Sequence, residues 1–511
     1  MNSKKIALIS VYNKEGIVKF AKVLRSLNYE IISTGGTYKI LIENGIKATP
    51  IEQITKNPRE LFDGRIKTIS FQIAGGILYD RKKSDHVKQA QRLGIPGIDI
   101  VICNLYPFEK KPNVENIDVG GPTMVRAAAK NYESVLVVID PNDYEMIADV
   151  LARNSLGVKL RKHLAAKAFY HLSVYDSQIG KYFSDELFPP ELTVPFRRVE
   201  ILRYGENPHQ KGAFYLSPNT NSPFAKLKHL WGRDLSGTNM GDVFAGLETV
   251  RMFKEPVACV IKHHSPCGVA IGKDSKQALE RAIAADPVSA FGGVIVLNKM
   301  MDLKTAKIIA TFKHEKMGNI DIVAVPKITK EALALLEKIR KSMGIYTFDN
   351  IPKKRNDVLD LRWYGGGALM QNFDDEVEKG FKGWKVVTEK KPTKKQIEQM
   401  KFGFKAVKAV RSNAVLVVDK NIPMTRGIGA GQTSRVGATK IALEQAGKYC
   451  QDGILVSDSF FPFDDCVKLA AKYKIGAILE QGGSINDQSS IDAANKAKIV
   501  MVFSGRRAFR H

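Results

Sequence analysis

Apolar residues along the chain come in short runs that alternate with amphipathic stretches. Lys5–Val11 is a β-rich apolar run. Behind it, Ile17, Val18, Phe20, Ala21, Val23, Leu24 and Leu27 are spaced as one face of a helix. Tyr29–Ser33 reads as a second strand that stops at Thr34-Gly35-Gly36-Thr37 before a further helix. Ile98–Cys103, apolar but for Asp99, and Val135–Ile139 are short strands. Strands that lack an alternating polar face, each followed by a helix, predict a parallel α/β sheet covered on both sides. Ligands of such sheets bind beyond the carboxyl ends of the strands. That rule singles out Ser10–Lys14, Thr34–Thr37 and Asn104–Phe108.

From Asp143 to about Ser184 the pattern is helical, until Pro189, Pro190 and Pro195 break it. A domain boundary near Pro195 divides the chain into 1–195 and 196–511. The second part carries a weak internal repeat. The strand Val257–Ile261 is followed by a glycine-bearing loop, Gly268–Gly272, a helix and the strand Gly293–Leu297. The strand Ala414–Val418 is followed by a second such loop, Gly427–Gly431, a helix and the strand Gly453–Val456. Two similar units suggest two stacked α/β subdomains, with a mixed insert at about 317–400 between them.

The chain has 511 residues, 44% of them hydrophobic and 26% charged, which excludes a disordered chain and a single minimal domain. It contains no apolar run long enough for a membrane span. The start, MNSKKIALISVY, reads as a strand of mature protein and not as a signal peptide. Its five cysteines form no Cys-x-x-Cys pair, so a disulfide framework is not expected and a reducing, cytoplasmic setting is. The net charge of +25 is the unusual feature. It suits anionic partners, or lysines scattered over solvated faces.

Several clusters can carry chemistry. In Ile261-Lys262-His263-His264-Ser265-Pro266-Cys267-Gly268 a lysine and histidines end a buried strand. A lysine there can hold an oxyanion and a neutral histidine can take a proton. A deaminase-type zinc site fails, because Ala270 stands where the second cysteine would be. Arg203-Tyr204-Gly205-Glu206-Asn207-Pro208-His209-Gln210 is a polar turn whose arginine can grip phosphate. Gly427–Gly431 leads through Gln432 to Arg435 and is not a dinucleotide fingerprint, because Gln432 breaks the spacing. Ser459–Phe463 is an aromatic run suited to a flat ring ligand. Gly64-Arg65-Ile66-Lys67-Thr68 sets cations on a loop, and Gly120-Gly121 before a helix suggests a phosphate seat.

The segments SVYNKEG, STGGT, GRIKT, CNLYPF, IDVGGPTMVRAAAKN, LRYGENPHQ, IKHHSPCG, DPVSAFGG, RSNAV, IGAGQTSR, SDSFFPF and the terminal FRH follow one another along the chain. Through them the chain resembles, nearly end to end, the bifunctional purine-biosynthesis enzymes. These join phosphoribosyl-aminoimidazole-carboxamide (AICAR) formyltransferase to inosine monophosphate (IMP) cyclohydrolase. The resemblance implies an α/β protein. Its N-terminal part would be a methylglyoxal-synthase-like parallel-sheet domain, with a core of about 1–145 and a helical connection. Its C-terminal part would be tandem cytidine-deaminase-like α/β units without zinc. The C-terminal part would pass a formyl group from 10-formyltetrahydrofolate to AICAR. The N-terminal part would close formyl-AICAR to IMP with loss of water. A homodimer is implied, potassium is the one candidate cation, and neither nucleic acid nor membrane is a partner.

For formyl transfer the resemblance marks Lys262 as oxyanion holder, His263 as base, Asn413 near the formyl group, and the terminal His511. Arg203, Tyr204, His209 and Arg507 would bind AICAR; Gly292, Arg435, Phe460, Phe463 and Asp465 would bind or support folate. His264 falls at a variable position and is given no role. For cyclisation the set is Lys67, Tyr106, Asp118 and Lys130, with Ser10, Lys14, Ser33, Gly35, Gly36, Thr37, Arg65 and Thr68 as nucleotide and phosphate contacts. One departure stands out: Ser70 and Ala74 replace two histidines of the family pattern. An active cyclase is expected, and a formyltransferase with an impaired cyclase half is the alternative. A basic nucleic-acid-binding protein is the alternative from another class.

Overall fold

In the computed structural model the described residues are 5–58, 62, 65–312, 318–352, 355, 359–375 and 378–511. The chain divides into two compact units, Met1–Arg197 with Ser217–Asn219, and Arg198–Leu216 with Thr220–His511.

The first unit is built on a five-stranded sheet of β1 (Lys5–Val11), β2 (Tyr29–Ser33), β3 (Thr49–Pro50), β4 (Ile100–Asn104) and β5 (Leu136–Val138). Every pair is parallel and the order is β3-β2-β1-β4-β5. Ala7, Leu8, Ile9, Val101, Ile102, Leu136 and Val138 are all fully buried, as strands covered by helices on both faces require. From β1 the chain first moves outward through β2 and β3, then returns to the other side with β4 and β5. The crevice where the direction reverses therefore opens beyond Val11 and Asn104. The helices Tyr144–Ala152 and Val158–Phe183 complete this unit.

The hairpin β6 (Arg197–Ile201) and β7 (Ala213–Leu216) leads into two six-stranded sheets. One is made of β8 (Lys228–Trp231), β9 (Val257–Lys262), β10 (Ser265–Ile271), β11 (Gly293–Leu297), β12 (Ile320–Val325) and β13 (Gly344–Thr347). After a separate hairpin, β14 (Leu359–Tyr364) and β15 (Gly367–Asn372), the other is made of β16 (Lys385–Val386), β17 (Val415–Val418), β18 (Thr425–Gly429), β19 (Ile454–Ser457), β20 (Ala477–Glu480) and β21 (Val500–Phe503). Their orders, β10-β9-β11-β12-β13-β8 and β18-β17-β19-β20-β21-β16, are the same path with the same parallel and antiparallel pairings. The edge strands of the two sheets meet at Ala270 and Met424. The helices Gly237–Val250 and Lys394–Val407 share one core with the facing sides of both sheets. Each outer side is covered by three helices of its own repeat.

Two expectations are corrected. The glycine-bearing stretches after β9 and β17 are not loops: Gly268–Ile271 and Gly427–Gly429 lie within edge strands β10 and β18. A Cβ on Gly268 would stand 2.0 Å from the carbonyl oxygen of Ala282, and one on Gly427 2.0 Å from that of Ala442. The repeated glycines therefore let the helices Ser275–Ala285 and Arg435–Ala446 pack directly on strand backbone. Second, 317–400 is not an insert. Its described residues supply β12 and β13 to the first sheet and β16 to the second, and only the β14–β15 hairpin stands apart. Met317, at the expected start of the insert, lies outside the described residues.

Gly427→Ala should destabilise the second unit by about 2 kcal/mol or more, because helix backbone cannot yield as a side chain does. In contrast Gly180→Ala, in the last turn of helix Val158–Phe183 with open space around it, should stabilise by up to about 1 kcal/mol. Denaturant melts of both variants check the contrast.

Candidate functional site

At the strand ends of the first unit, Asn104 forms the floor of the crevice. Its Oδ1 accepts the N–H groups of Tyr12 (2.6 Å) and Asn13 (2.8 Å). Lys14 folds back so that Nζ donates to Val11 O and, at 3.1 Å, to Thr37 Oγ1. Burial pulls the pKa of this amine down. Ser33 Oγ donates to Ile9 O at 2.9 Å, and Thr34 Oγ1 donates to Ser10 Oγ at 3.0 Å. Helix Gly35–Glu43 begins here with no side chain capping it, and a Cβ on Gly35 or Gly36 would meet nothing within 4 Å. Open space before uncapped helix N–H groups suits a phosphate. The structure thus brings Ser10, Lys14, Ser33, Gly35, Gly36 and Thr37 together.

A second group gathers at the start of helix Gly120–Lys130. The largely buried Asp118 accepts the Gly121 N–H at 2.7 Å, and the Tyr106 N–H also reaches its carboxylate. Burial nevertheless pushes its pKa up, against those donors and the nearby Lys67 ammonium. The Tyr106 hydroxyl is likewise pushed up, by burial and then by Asp118. The Tyr106 ring meets Tyr12 edge-on, with centroids 5.7 Å apart. The glycine pair does not form an open phosphate seat. A Cβ on Gly120 would strike Thr68 Oγ1 at 2.3 Å, and one on Gly121 would strike Asp118 Oδ2 at 2.5 Å. The pair instead packs Thr68 and Asp118 against the helix start. Lys130 ends that helix, about 15 Å along its axis from Gly120, so it does not join Asp118. Arg65 forms an exposed pair with Glu115 at 2.5 Å, and Gly64 lies outside the described residues. Ser70 has a structural role. Its Oγ accepts the Ile73 N–H at 3.1 Å and caps the helix Phe71–Leu78.

In the second unit Lys262 ends β9, where Nζ donates to Phe291 O at 2.9 Å, next to Gly292. His263 and His264 form the two-residue turn into β10, with φ of 52° and 64°. Positive φ at both positions is what a tight hairpin turn demands, and glycine or asparagine normally supplies it. Asp242, buried on helix Gly237–Val250, takes up the strain. Its carboxylate accepts the His264 N–H at 2.6 Å and the His263 N–H as well. Burial raises the pKa of Asp242. The same helix receives the Arg203–Gln210 turn: Gly237 N–H donates to Tyr204 O at 2.9 Å. Arg203 lies over the Tyr204 ring at 4.7 Å, and His209 is exposed. Burial pushes the half-buried Cys267 thiol up to about 12, which disfavours its thiolate form.

The remaining residues expected to serve formyl transfer converge around Asp458, which sequence reasoning missed. Its buried carboxylate pairs with Arg435 and accepts Ser412 Oγ at 2.6 Å and the Ala414 N–H at 3.1 Å. The Asp458 carbonyl accepts the Ala508 N–H at 2.7 Å, and Arg510 O accepts the Ser412 N–H at 2.9 Å. These bonds draw Asn413, Arg435 and the tail with Arg507 and His511 into one neighbourhood. Arg507 and Arg435 both lie over Phe509, and His511 meets it edge-on. In the aromatic run Phe461 is core, whereas Phe460 is half-buried and Phe463 exposed. Asp465 Oδ1 accepts the Cys466 N–H at the start of helix Asp465–Lys472. Among the described residues no group of three His, Cys, Asp or Glu side chains is placed to hold a metal ion.

Two α/β units, each with polar side chains and strained or uncapped backbone at its strand ends, define a two-site enzyme. A family model described as AICARFT/IMPCHase bienzyme matches residues 128–445, and an MGS-like domain model matches 16–131. The chain is 44% identical to the "Bifunctional purine biosynthesis protein PurH" of Halalkalibacterium halodurans, covering 99% of this chain and 100% of that one. Identity to the protein of the same description from Lysinibacillus sphaericus is 44%, and to that from Thermoanaerobacter sp. 43%, again over 99% of this chain and 100% of each relative. The chain belongs to the AICARFT/IMPCHase bienzyme family. Among solved structures, the crystal structure of ForH aligns with 36% of this chain and 100% of that one at 33% identity, with a TM-score of 0.33.

Glu480 ends β20 beside the aromatic run, where Oε2 accepts the Phe461 N–H at 2.5 Å. Burial pushes its pKa from 4.5 up to about 8. Between those values the folded chain holds a proton that the unfolded chain releases, so Glu480 makes wild-type stability fall as pH rises. Glu480→Gln imitates the protonated acid. Its melting temperature should match wild type near pH 4.5 and exceed it increasingly up to about pH 8. A constant difference across that range would contradict this.

Proposed function

We propose that the chain carries out the last two steps of IMP formation: formyl transfer from 10-formyltetrahydrofolate to AICAR in the second unit, then ring closure of formyl-AICAR in the first. The observation that carries the transfer half is the Lys262–His263 pair, set at a buried strand end on a turn that Asp242 clamps. As the AICAR 5-amino nitrogen attacks the formyl carbon, His263 takes its proton. Lys262 steadies the oxyanion until the carbon–N10 bond breaks and tetrahydrofolate leaves with a proton. Asn413 faces this step, and its Nδ2 is oriented by Gln432 O at 2.8 Å. Arg203, Tyr204, His209 and Arg507 hold AICAR, while Arg435, Phe460, Phe463, Asp465, Gly292 and the terminal His511 frame the folate side.

Ring closure is intramolecular, so orientation does most of the work. The phosphate sits at the Gly35–Gly36 helix start, with Lys14, Ser10, Ser33 and Thr37 around it. Tyr106 and Lys67 polarise the formyl oxygen. Asp118 shuttles protons, a role its burial-raised pKa favours. Arg65 and Thr68 act at the periphery of this group, whereas Lys130, at the far end of helix Gly120–Lys130, takes no part in it. The same reading takes the chain as a homodimer in the cytoplasm, with potassium as its one candidate cation and no role for zinc. Exposed apolar side chains of the first unit such as Tyr170 and Phe183 support a subunit interface.

The replacement of two expected histidines by Ser70 and Ala74 favours one second reading, a transferase with a weakened cyclase. A single assay separates the two. With AICAR and 10-formyltetrahydrofolate supplied, tetrahydrofolate and IMP should both appear. Replacing Lys262 or His263 should abolish tetrahydrofolate release and leave closure of supplied formyl-AICAR intact. Replacing Lys67 or Asp118 should do the reverse. No tetrahydrofolate from the wild type would refute the proposal, and accumulation of uncyclised product would favour the second reading.

A further inference from the structure

His264, directly after His263, is held by three contacts of its own. Its N–H donates to Asp242 Oδ1 at 2.6 Å. Its ring lies against Gly241, where an added Cβ would stand 2.2 Å from Nε2. Its Nδ1 meets Arg411 Nη2 at 3.2 Å, and because arginine only donates, Nδ1 is the acceptor. The turn needs such support. Both of its residues occupy positive φ, which costs a non-glycine residue free energy and persists only where surroundings over-determine it. Asp242 grips the turn by its backbone alone. The His264 ring reaches further, from helix Gly237–Val250 to Arg411. Arg411 lies two residues before Asn413, and its carbonyl accepts the Gly431 N–H at 2.7 Å.

We propose that His264 is a positioning residue for formyl transfer: its ring, wedged at Gly241 and bonded to Arg411, locks the turn that presents His263 and couples it to the segment carrying Asn413. The proposal rests on the formyltransferase reading above. It also explains why position 241 is glycine in the middle of a helix, where glycine is otherwise unfavourable. Any side chain there would evict the imidazole.

The test is a double-mutant cycle read as steady-state formyl transfer, with melting temperatures recorded for every variant. His264→Ala should lower kcat about fivefold, the scale of one net hydrogen bond, and leave KM for AICAR within about twofold. His264→Gln, whose amide oxygen can accept from Arg411, should recover most of that loss. Gly241→Ala should cost about as much as His264→Ala in the wild-type background and nothing further when position 264 is alanine. Wild-type kcat in His264→Ala, or a Gly241→Ala loss of equal size with and without the ring, would overturn the proposal. A wild-type chain that releases no tetrahydrofolate would instead overturn the formyltransferase reading on which it rests.

Discussion

The ion pair between Asp458 and Arg435 is the constraint on which the arrangement of the second unit's candidate site depends. Asp458 is fully buried at the end of β19. A lone carboxylate there would cost several kcal/mol, so its partners have to be brought to it. Arg435 comes from the first turn of helix Arg435–Ala446, Ser412 and Ala414 from the approach to β17, and Ala508 from the tail. The demand of one charge thus places Asn413 and the segment ending in His511. Asp242 and Asp118 repeat the device on a smaller scale. Each carboxylate accepts two backbone N–H groups close to a strand end: those of His263 and His264 at Asp242, and those of Tyr106 and the helix-start Gly121 at Asp118. In each case a residue so held is assigned to the chemistry.

This changes what the net charge of +25 means. Several cations expected to grip anions already have protein partners: Arg435 with Asp458, Arg65 with Glu115, and Lys14 with Val11 O and Thr37 Oγ1. Such groups contribute aim more than field, because their charge is balanced or desolvated where it stands. The excess of lysine elsewhere still supplies a positive surround that favours the approach of phosphate and carboxylate ligands, in a salt-dependent way.

Much of the fold was legible. The parallel sheet of the first unit announces itself through strands that are apolar on both faces, and the crevice follows from topology. The repeat in the second unit was legible for a different reason than anion binding. Its glycines mark where helix backbone rests on edge strands, not where loops cradle anions. The stretch from 317 to 400 misled because Ile320–Val325 and Gly344–Thr347 lie before an irregular hairpin that masks their membership of the first sheet. Lys262, His263, Tyr106 and Asp118 could be found from motifs. Asp242 and Asp458 could not. Each is a lone acid in an apolar stretch, and its partners lie 20 to 50 positions away on backbone that no pattern reveals. His264 was given no role from the sequence, because its contacts lie across helix and loop, where only the fold brings them together.

On the proposed reading a buried carboxylate, and not the reacting side chains alone, assembles the site assigned to transfer. Asp458→Asn keeps the shape of the side chain, removes its charge and replaces one accepting oxygen by a donating NH2, so that either Arg435 or the Ser412 and Ala414 donors lose their acceptor. Initial rates of tetrahydrofolate release by this variant should fall by well over tenfold, the scale expected when a buried pair loses one partner. Closure of supplied formyl-AICAR, which the proposal assigns to the other unit, should proceed at the wild-type rate. Transfer at the wild-type rate in Asp458→Asn would contradict the account.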